Sequence, residues 1–118
     1  YWCLEQGLLT GSVGPERIFS KEDFRNDVAD WLPWFRIENR RRLQGMFSTW
    51  NDLTQKYSCS IGNIATAWTL GQPGVTHALL GNKSTQQAIS NAYSGSFRLD
   101  EEDMKRINAD LVGLVPPV

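Results

Sequence analysis

The residues best suited to chemistry in this chain fall in one short stretch, Leu79-Leu80-Gly81-Asn82-Lys83-Ser84-Thr85-Gln86-Gln87-Ala88-Ile89-Ser90-Asn91. It reads as an apolar strand that ends in glycine, turns through a lysine and enters a capped helix. Gly81 lets a backbone approach a ligand closely, the first helical turn offers unpaired N–H groups and the positive end of a dipole, and Lys83 adds a full charge. These residue types in this order suit an anion, a phosphate above all. Gln87 and Asn91 are one helical turn apart and share a face, so both can read a ligand laid along it. Each also has a plainer reading. Gln87 can simply close a capping box opened by Ser84, Asn91 can be a surface residue, and Lys83 can be a solvated charge.

The elements that must hold this stretch are mostly helical. Leu4 to Gly14 contains Gly7, Gly11 and Gly14 with leucines between them, which predicts a strand end passing into a loop. Pro15 to Phe35 is an irregular, aromatic-rich excursion in which Ser20-Lys21-Glu22-Asp23 caps a short helix and Leu32-Pro33-Trp34-Phe35 ends it. From Glu38, Leu43, Met46, Phe47, Trp50, Leu53 and Tyr57 recur at three- and four-residue steps and predict one long amphipathic helix. Ser58-Cys59-Ser60 interrupts it; Ile61, Ile64, Ala65 and Trp68 resume the period until Gly71-Gln72-Pro73-Gly74. Val75 to Leu80 is short and β-compatible. A helix with inner face Ala88, Ile89, Ala92 and Tyr93 follows from Ser84. The last starts at Asp100, buries Met104, Ile107 and Leu111, and ends at Gly113 and Pro116-Pro117.

Composition narrows the function classes. A chain of 118 residues with 41% hydrophobic content suits one ordinary domain, and no apolar run approaches the ~20 residues of a membrane helix. A formal charge of -1 without a basic block argues against nucleic acid as a partner. Arg40-Arg41-Arg42 reads as a solvated helix start. Cys3 and Cys59 are too far apart for a Cys-x-x-Cys motif and have only His77 as a further metal candidate, so they read as reduced thiols of a cytoplasmic protein and His77 as structural. The opening Tyr1-Trp2-Cys3-Leu4 has neither an initiator methionine nor a signal layout and reads like the interior of a longer chain.

Helix-strand-helix order normally surrounds a parallel sheet, whose strands need hydrogen-bonded neighbours on both sides. Here there are at most two strand stubs, separated by a long helical stretch. A second copy, a missing partner or an altered fold must therefore satisfy them.

Tyr1-x-x-Leu4-x-x-Gly7-x-Leu9-x-Gly11, Pro33-Trp34-Phe35, Asn39, Ala65-x-Ala67-Trp68, Pro73-Gly74-Val75, Leu80-Gly81, Gln87-x-x-x-Asn91 and Leu99-x-x-Glu102 together resemble the C-terminal third of an aldo-keto reductase. The branch is the bacterial one that also resembles potassium-channel β subunits. The resemblance implies an α/β fold: the C-terminal segment of a (β/α)8 TIM barrel, mostly helical with one or two short strands, and not a complete barrel. It implies a single partial domain over residues 1–118, with residues 11–36 as a long loop excursion. It also implies NADPH as cofactor and an aldehyde or ketone as substrate. Tyr1 matches the family tyrosine that stacks on the nicotinamide ring, and Leu4 and Gly7 fall in the loop that follows the pyrophosphate. Lys83, with Ser84 beside it, matches the region holding the adenosine 2′-phosphate, and Gly81 counts among the cofactor-binding residues. Gln87 and Asn91 stand where the family reaches the ribose phosphate and the adenine amino group.

Two departures stand out. Cys3 replaces a frequent proline, which loosens the turn, and Ser84 replaces a frequent second basic residue, which weakens preference for NADPH over NADH. The family's Asp, Tyr, Lys and His tetrad has no counterpart in these residues, so the chain alone is expected to be catalytically silent. The rival readings are a regulatory module like the channel β subunits and a small helical interaction protein with Trp31, Trp34 and Phe35 as a contact patch. Within the enzyme reading, those aromatics are either a substrate wall or cofactor clamp, or staples that hold the loop on the helix shell. Without the rest of a barrel, Leu43, Phe47, Trp50, Ile64 and Trp68 would lack cover unless the helices repack on one another, and self-association or complementation by the remaining barrel is expected.

Overall fold

The computed structural model describes residues 1–117. Five α-helices carry the chain: α1 (Ile37–Ser48), α2 (Asn51–Lys56), α3 (Ile61–Leu70), α4 (Thr85–Tyr93) and α5 (Glu101–Leu114), with 3-10 turns at Glu5–Thr10, Phe24–Asn26 and Pro33–Phe35. No strand forms among the described residues, which corrects the expectation of one or two short ones. From Thr76 to Lys83 no backbone amide donates to a backbone carbonyl. The segment has β-compatible residues but no neighbour to pair with, and a lone strand has no ladder.

The first residues also depart from a strand. Leu4 to Thr10 is coiled into two short turns joined at a kink, where Glu5, Gln6 and Gly7 take φ of 43°, 55° and 90°. Gly7 accepts that region freely, whereas Glu5 and Gln6 are strained by about 1 kcal/mol or more each unless held. Arg25 holds the turn, its Nη1 donating to the Gln6 carbonyl at 3.0 Å.

The single long helix expected from Glu38 to Tyr57 is broken at Thr49–Trp50. Ser48 and Thr49 each turn a hydroxyl back to the carbonyl three residues earlier, Gly45 and Met46, and the Thr49 and Trp50 amides tighten to the same spacing. Such side chains compete with the helical ladder. The break buries Trp50 edge-on against Phe47 and lets its indole donate to Asp110 at 2.8 Å.

The core gathers Leu8, Val28, Phe35, Leu43, Phe47, Trp50, Leu53, Ile64 and Ile107 from the first turn, the excursion, α1, α2, α3 and α5. Leu43, Phe47, Trp50 and Ile64, expected to lack cover, are buried against one another, and Trp68 packs on their edge. Full burial of a leucine or isoleucine is worth about 2 kcal/mol, more than an exposed ion pair at about 0–1 kcal/mol, so these side chains decide the fold.

α4 is the exception. It buries none of its own residues, and the expected inner face is open: Ile89 is 68% exposed. The arginine run is not a solvated start either. Arg40 is buried and donates to the Gly14 and Arg17 carbonyls, and Arg42 reaches the Leu114 and Pro116 carbonyls, while Arg41 alone is exposed.

α5 combines Ile107 and Leu114 in the core with polar ties along its length. Lys56 bridges Asp100 and Asp103, the Tyr57 hydroxyl donates to Asp103 at 2.6 Å, and Arg106 pairs with Asp52. The helix runs through Gly113 to Leu114 rather than ending at the glycine.

Asp100 is held below its ordinary pKa chiefly by the Lys56 ammonium, and Asp52 chiefly by the Arg106 guanidinium. A depressed carboxylate stabilises the fold above its unfolded pKa and loses that contribution as pH falls through the folded value. The urea midpoint is therefore expected to be level between roughly pH 5 and 7 and to fall below roughly pH 4. Asp52→Asn should flatten part of that acid limb; an unchanged limb would show that the pair does not contribute.

Candidate functional site

The glycine turn at the start of the chain, the excursion and the segment entering α4 face one another across a cleft of about 1040 Å³. Tyr1, Leu4, Gly7, Gly81, Lys83, Gln87 and Asn91 all line it. Of the cofactor-site residues expected from the sequence, only Ser84 does not. Its hydroxyl is spent as the N-cap of α4, accepting the Gln87 amide at 3.2 Å.

Local sequence explains the shape of the α4 entrance. Ser84 is extended and caps the helix, and the Gln87 side chain folds back to accept an amide at 2.7 Å. The amide is that of Lys83, one residue before the cap, so the capping box expected within Ser84–Gln87 is displaced by one position. Thr85 and Gln86 keep amides that take no protein acceptor among the described residues. A helix start with two open amides and a lysine beside it favours negative charge. Lys83 makes no ion pair of its own among the described residues, yet its charge is felt across the cleft by Asp23.

The opposite wall is built by the excursion. Asp23 caps the turn Phe24–Asn26 by accepting the Arg25 amide at 3.0 Å and is gripped by the same residue's guanidinium at 2.6–3.2 Å. The Asp23 carboxyl is lowered to about 2, first by that side-chain hydrogen bond, then by the Arg25 amide, with smaller help from the charges of Arg25 and Lys83. Arg25 also lies over the Phe19 ring at 4.7 Å. One side chain thus ties the excursion to itself and to the glycine turn. Phe35 is buried and Trp34 packs on the core beside it, so they act as staples; Trp31 is exposed and does not line the cleft.

The α4 wall is held from behind. Asn63, buried in α3, completes a capping box with Ser60 and donates its amide to the Ser90 carbonyl at 2.6 Å and the Ser94 hydroxyl at 2.8 Å. The C-terminal end of α4 is fastened, while its cleft-facing N-terminal end is exposed.

Sequence reasoning took Asp23 only as part of a cap and Asn82 only as part of the turn, and missed Arg25 and Asn63. The Asp-x-Arg spacing is a local turn signal, but its reach to Gln6 is not. Asn82 stands between the glycine and the lysine, and its role lies in a contact with Asn91, nine residues on. His77 is exposed and bonded only to its neighbour Thr76, and no cluster of three or more metal-ligating side chains exists among the described residues. Nor is any described helix long and apolar enough to cross a membrane.

A glycine turn, a helix start and a lysine with no ion pair among the described residues meet around one cleft. Residues 1–111 match the aldo/keto reductase family, and the chain belongs to it. It is 32% identical over 115 residues to the aldo-keto reductase YhdN of Bacillus subtilis, covering 94% of this chain and 33% of that protein. It is 29% identical over 111 residues to an NADH-specific methylglyoxal reductase of Escherichia coli, covering 87% and 30%. An uncharacterized oxidoreductase of Mycobacterium bovis is 28% identical over 102 residues, covering 86% and 29%. The chain spans about a third of the length of these relatives.

Arg25→Ala should release the excursion without unfolding the core. Chymotrypsin should then cut near Phe19, Phe24 and Trp31 at least several-fold faster, with far-UV circular dichroism unchanged; equal cleavage rates would place the anchor elsewhere. Asn63→Ala, which removes a cap and two bonds to α4, should cost about 2–3 kcal/mol in urea unfolding. Hydrogen exchange in α4 should rise before that in α5.

Proposed function

We propose that these residues form the C-terminal part of a (β/α)8 barrel and supply the adenosine-phosphate half of the site in an NADPH-dependent carbonyl reductase. The observation that carries the reading is the single cleft that collects Lys83, Gln87 and Asn91 opposite Gly7 and Leu4. Its size suits a dinucleotide portion, since ligand pockets run to about 1,000 Å³.

The residues present fit such a group. Lys83 and the open Thr85 and Gln86 amides would take the 2′-phosphate. Gln87 has its oxygen engaged by the Lys83 amide, which leaves its NH₂ as a donor for a phosphate oxygen. Tyr1, 92% exposed at the mouth, offers a flat face for the nicotinamide ring. NADPH, when bound, supplies the hydride for an aldehyde or ketone carbon.

The proton donor of that reduction would come from the rest of the barrel. Tyr57 is committed to Asp103 and Tyr93 to the Tyr57 carbonyl, so neither serves. These residues on their own are expected to bind without turnover, because hydride transfer needs cofactor and acid on one rigid site. The unpaired segment Val75 to Leu80 would be one strand of the completed sheet.

Lys83 favours the phosphorylated dinucleotide, and Ser84 limits the preference by adding no second charge. The relative named as NADH-specific makes the choice of nucleotide a sharp question. Titration of the 118-residue chain with NADPH and separately NADH, followed by tryptophan quenching, is the test. NADPH should quench saturably, and Lys83→Ala should weaken it by about tenfold, the equivalent of one lost charged contact. No quenching by either nucleotide with the fold intact would overturn the assignment.

A further inference from the structure

We propose that Asn82 decides which purine the site accepts, by fixing the direction in which the Asn91 amide meets the ligand. The inference deepens the nucleotide reading above and rests on it. Both side chains line the cleft.

The polarity of the contact is set from the backbone outward. A carbonyl oxygen only accepts, and the Leu80 carbonyl accepts from the Asn82 NH₂ at 3.2 Å. That orientation turns the Asn82 oxygen toward α4, where it accepts from the Asn91 NH₂ at 2.7 Å. The relay Leu80, Asn82, Asn91 therefore has one direction. Asn91 is left with its carbonyl oxygen as an acceptor and its second N–H as a donor.

This remaining pair matches the Watson–Crick edge of a 6-aminopurine, whose exocyclic amine donates and whose N1 accepts. Hypoxanthine presents oxygen in place of the amine and an N–H in place of the bare N1, so it would set two acceptors and two donors against each other. An unsupported asparagine would not discriminate, because its amide can rotate to offer either atom. Asn82 removes that freedom and so acts as a positioning residue, without touching the base itself.

The measurement is calorimetric binding of NADPH and of its hypoxanthine analogue, reduced nicotinamide hypoxanthine dinucleotide phosphate, to the 118-residue chain and two variants. The wild-type chain should prefer the adenine form by about fivefold, the worth of one net hydrogen bond. Asn82→Ala should bring the ratio close to one, mainly through a gain for the hypoxanthine form. Asn82→Asp, whose carboxylate accepts from Asn91 but cannot donate, should keep the ratio while lowering both affinities through its charge. A purely structural role would shift both nucleotides together and leave the ratio alone. Equal wild-type affinities, or a ratio unchanged in Asn82→Ala, would overturn the inference. If that occurs while Lys83→Ala still loses NADPH, only the role of Asn82 falls. If the wild-type chain binds neither nucleotide, the nucleotide reading falls with it.

Discussion

The cleft depends on one buried amide. Asn63 closes the cap of α3 and at the same time holds the C-terminal end of α4 through Ser90 and Ser94. α4 has no buried apolar face of its own, so hydrophobic packing cannot fix its place. A buried asparagine is costly to leave unpaired, and this requirement makes the anchor directional where an apolar contact would not be. The result is a wall fastened at one end, with its helix start, Lys83 and Gln87 presented to the cleft.

The other wall is set by arginines rather than by regular structure. Residues 11–36 contain only short turns, yet Arg25 fixes them to the Gln6 carbonyl and Arg40 fixes Gly14 and Arg17. Each guanidinium satisfies carbonyls that a loop would otherwise expose or bury unpaired. This is also why Glu5 and Gln6 can persist at positive φ: the strain is held by contacts from the far side of the cleft.

The stretch from Thr76 to Lys83, whose amides donate to no backbone carbonyl, has a different meaning. Val75 to Leu80 has the composition of a strand and lies between α3 and α4, but joins no ladder among the described residues. Membership of the aldo/keto reductase family over residues 1–111, with coverage of about a third of each relative, is what the proposal that this segment belongs to a larger sheet builds on.

Much was legible in the residues themselves. The helix starts at Ser84 and Asp100, the stop after Leu70 and the apolar period of α1 and α3 are local, because they depend on side chains within a turn of one another. The family was legible for a related reason, since its motifs are spacings along the chain. The break at Thr49–Trp50 was not, because the period continues through it and only the distant Asp110 and the core around Trp50 reward the kink. Nor were the roles of Arg25, Arg40, Asn63 and Asn82, whose partners are remote in sequence. The sequence determined which segments are helical and which residues carry charge and hydrogen-bonding groups. Only the tertiary structure decided which of those groups face the cleft and which are consumed as anchors, because a polar side chain takes whichever unpaired partner the packing brings within about 3 Å.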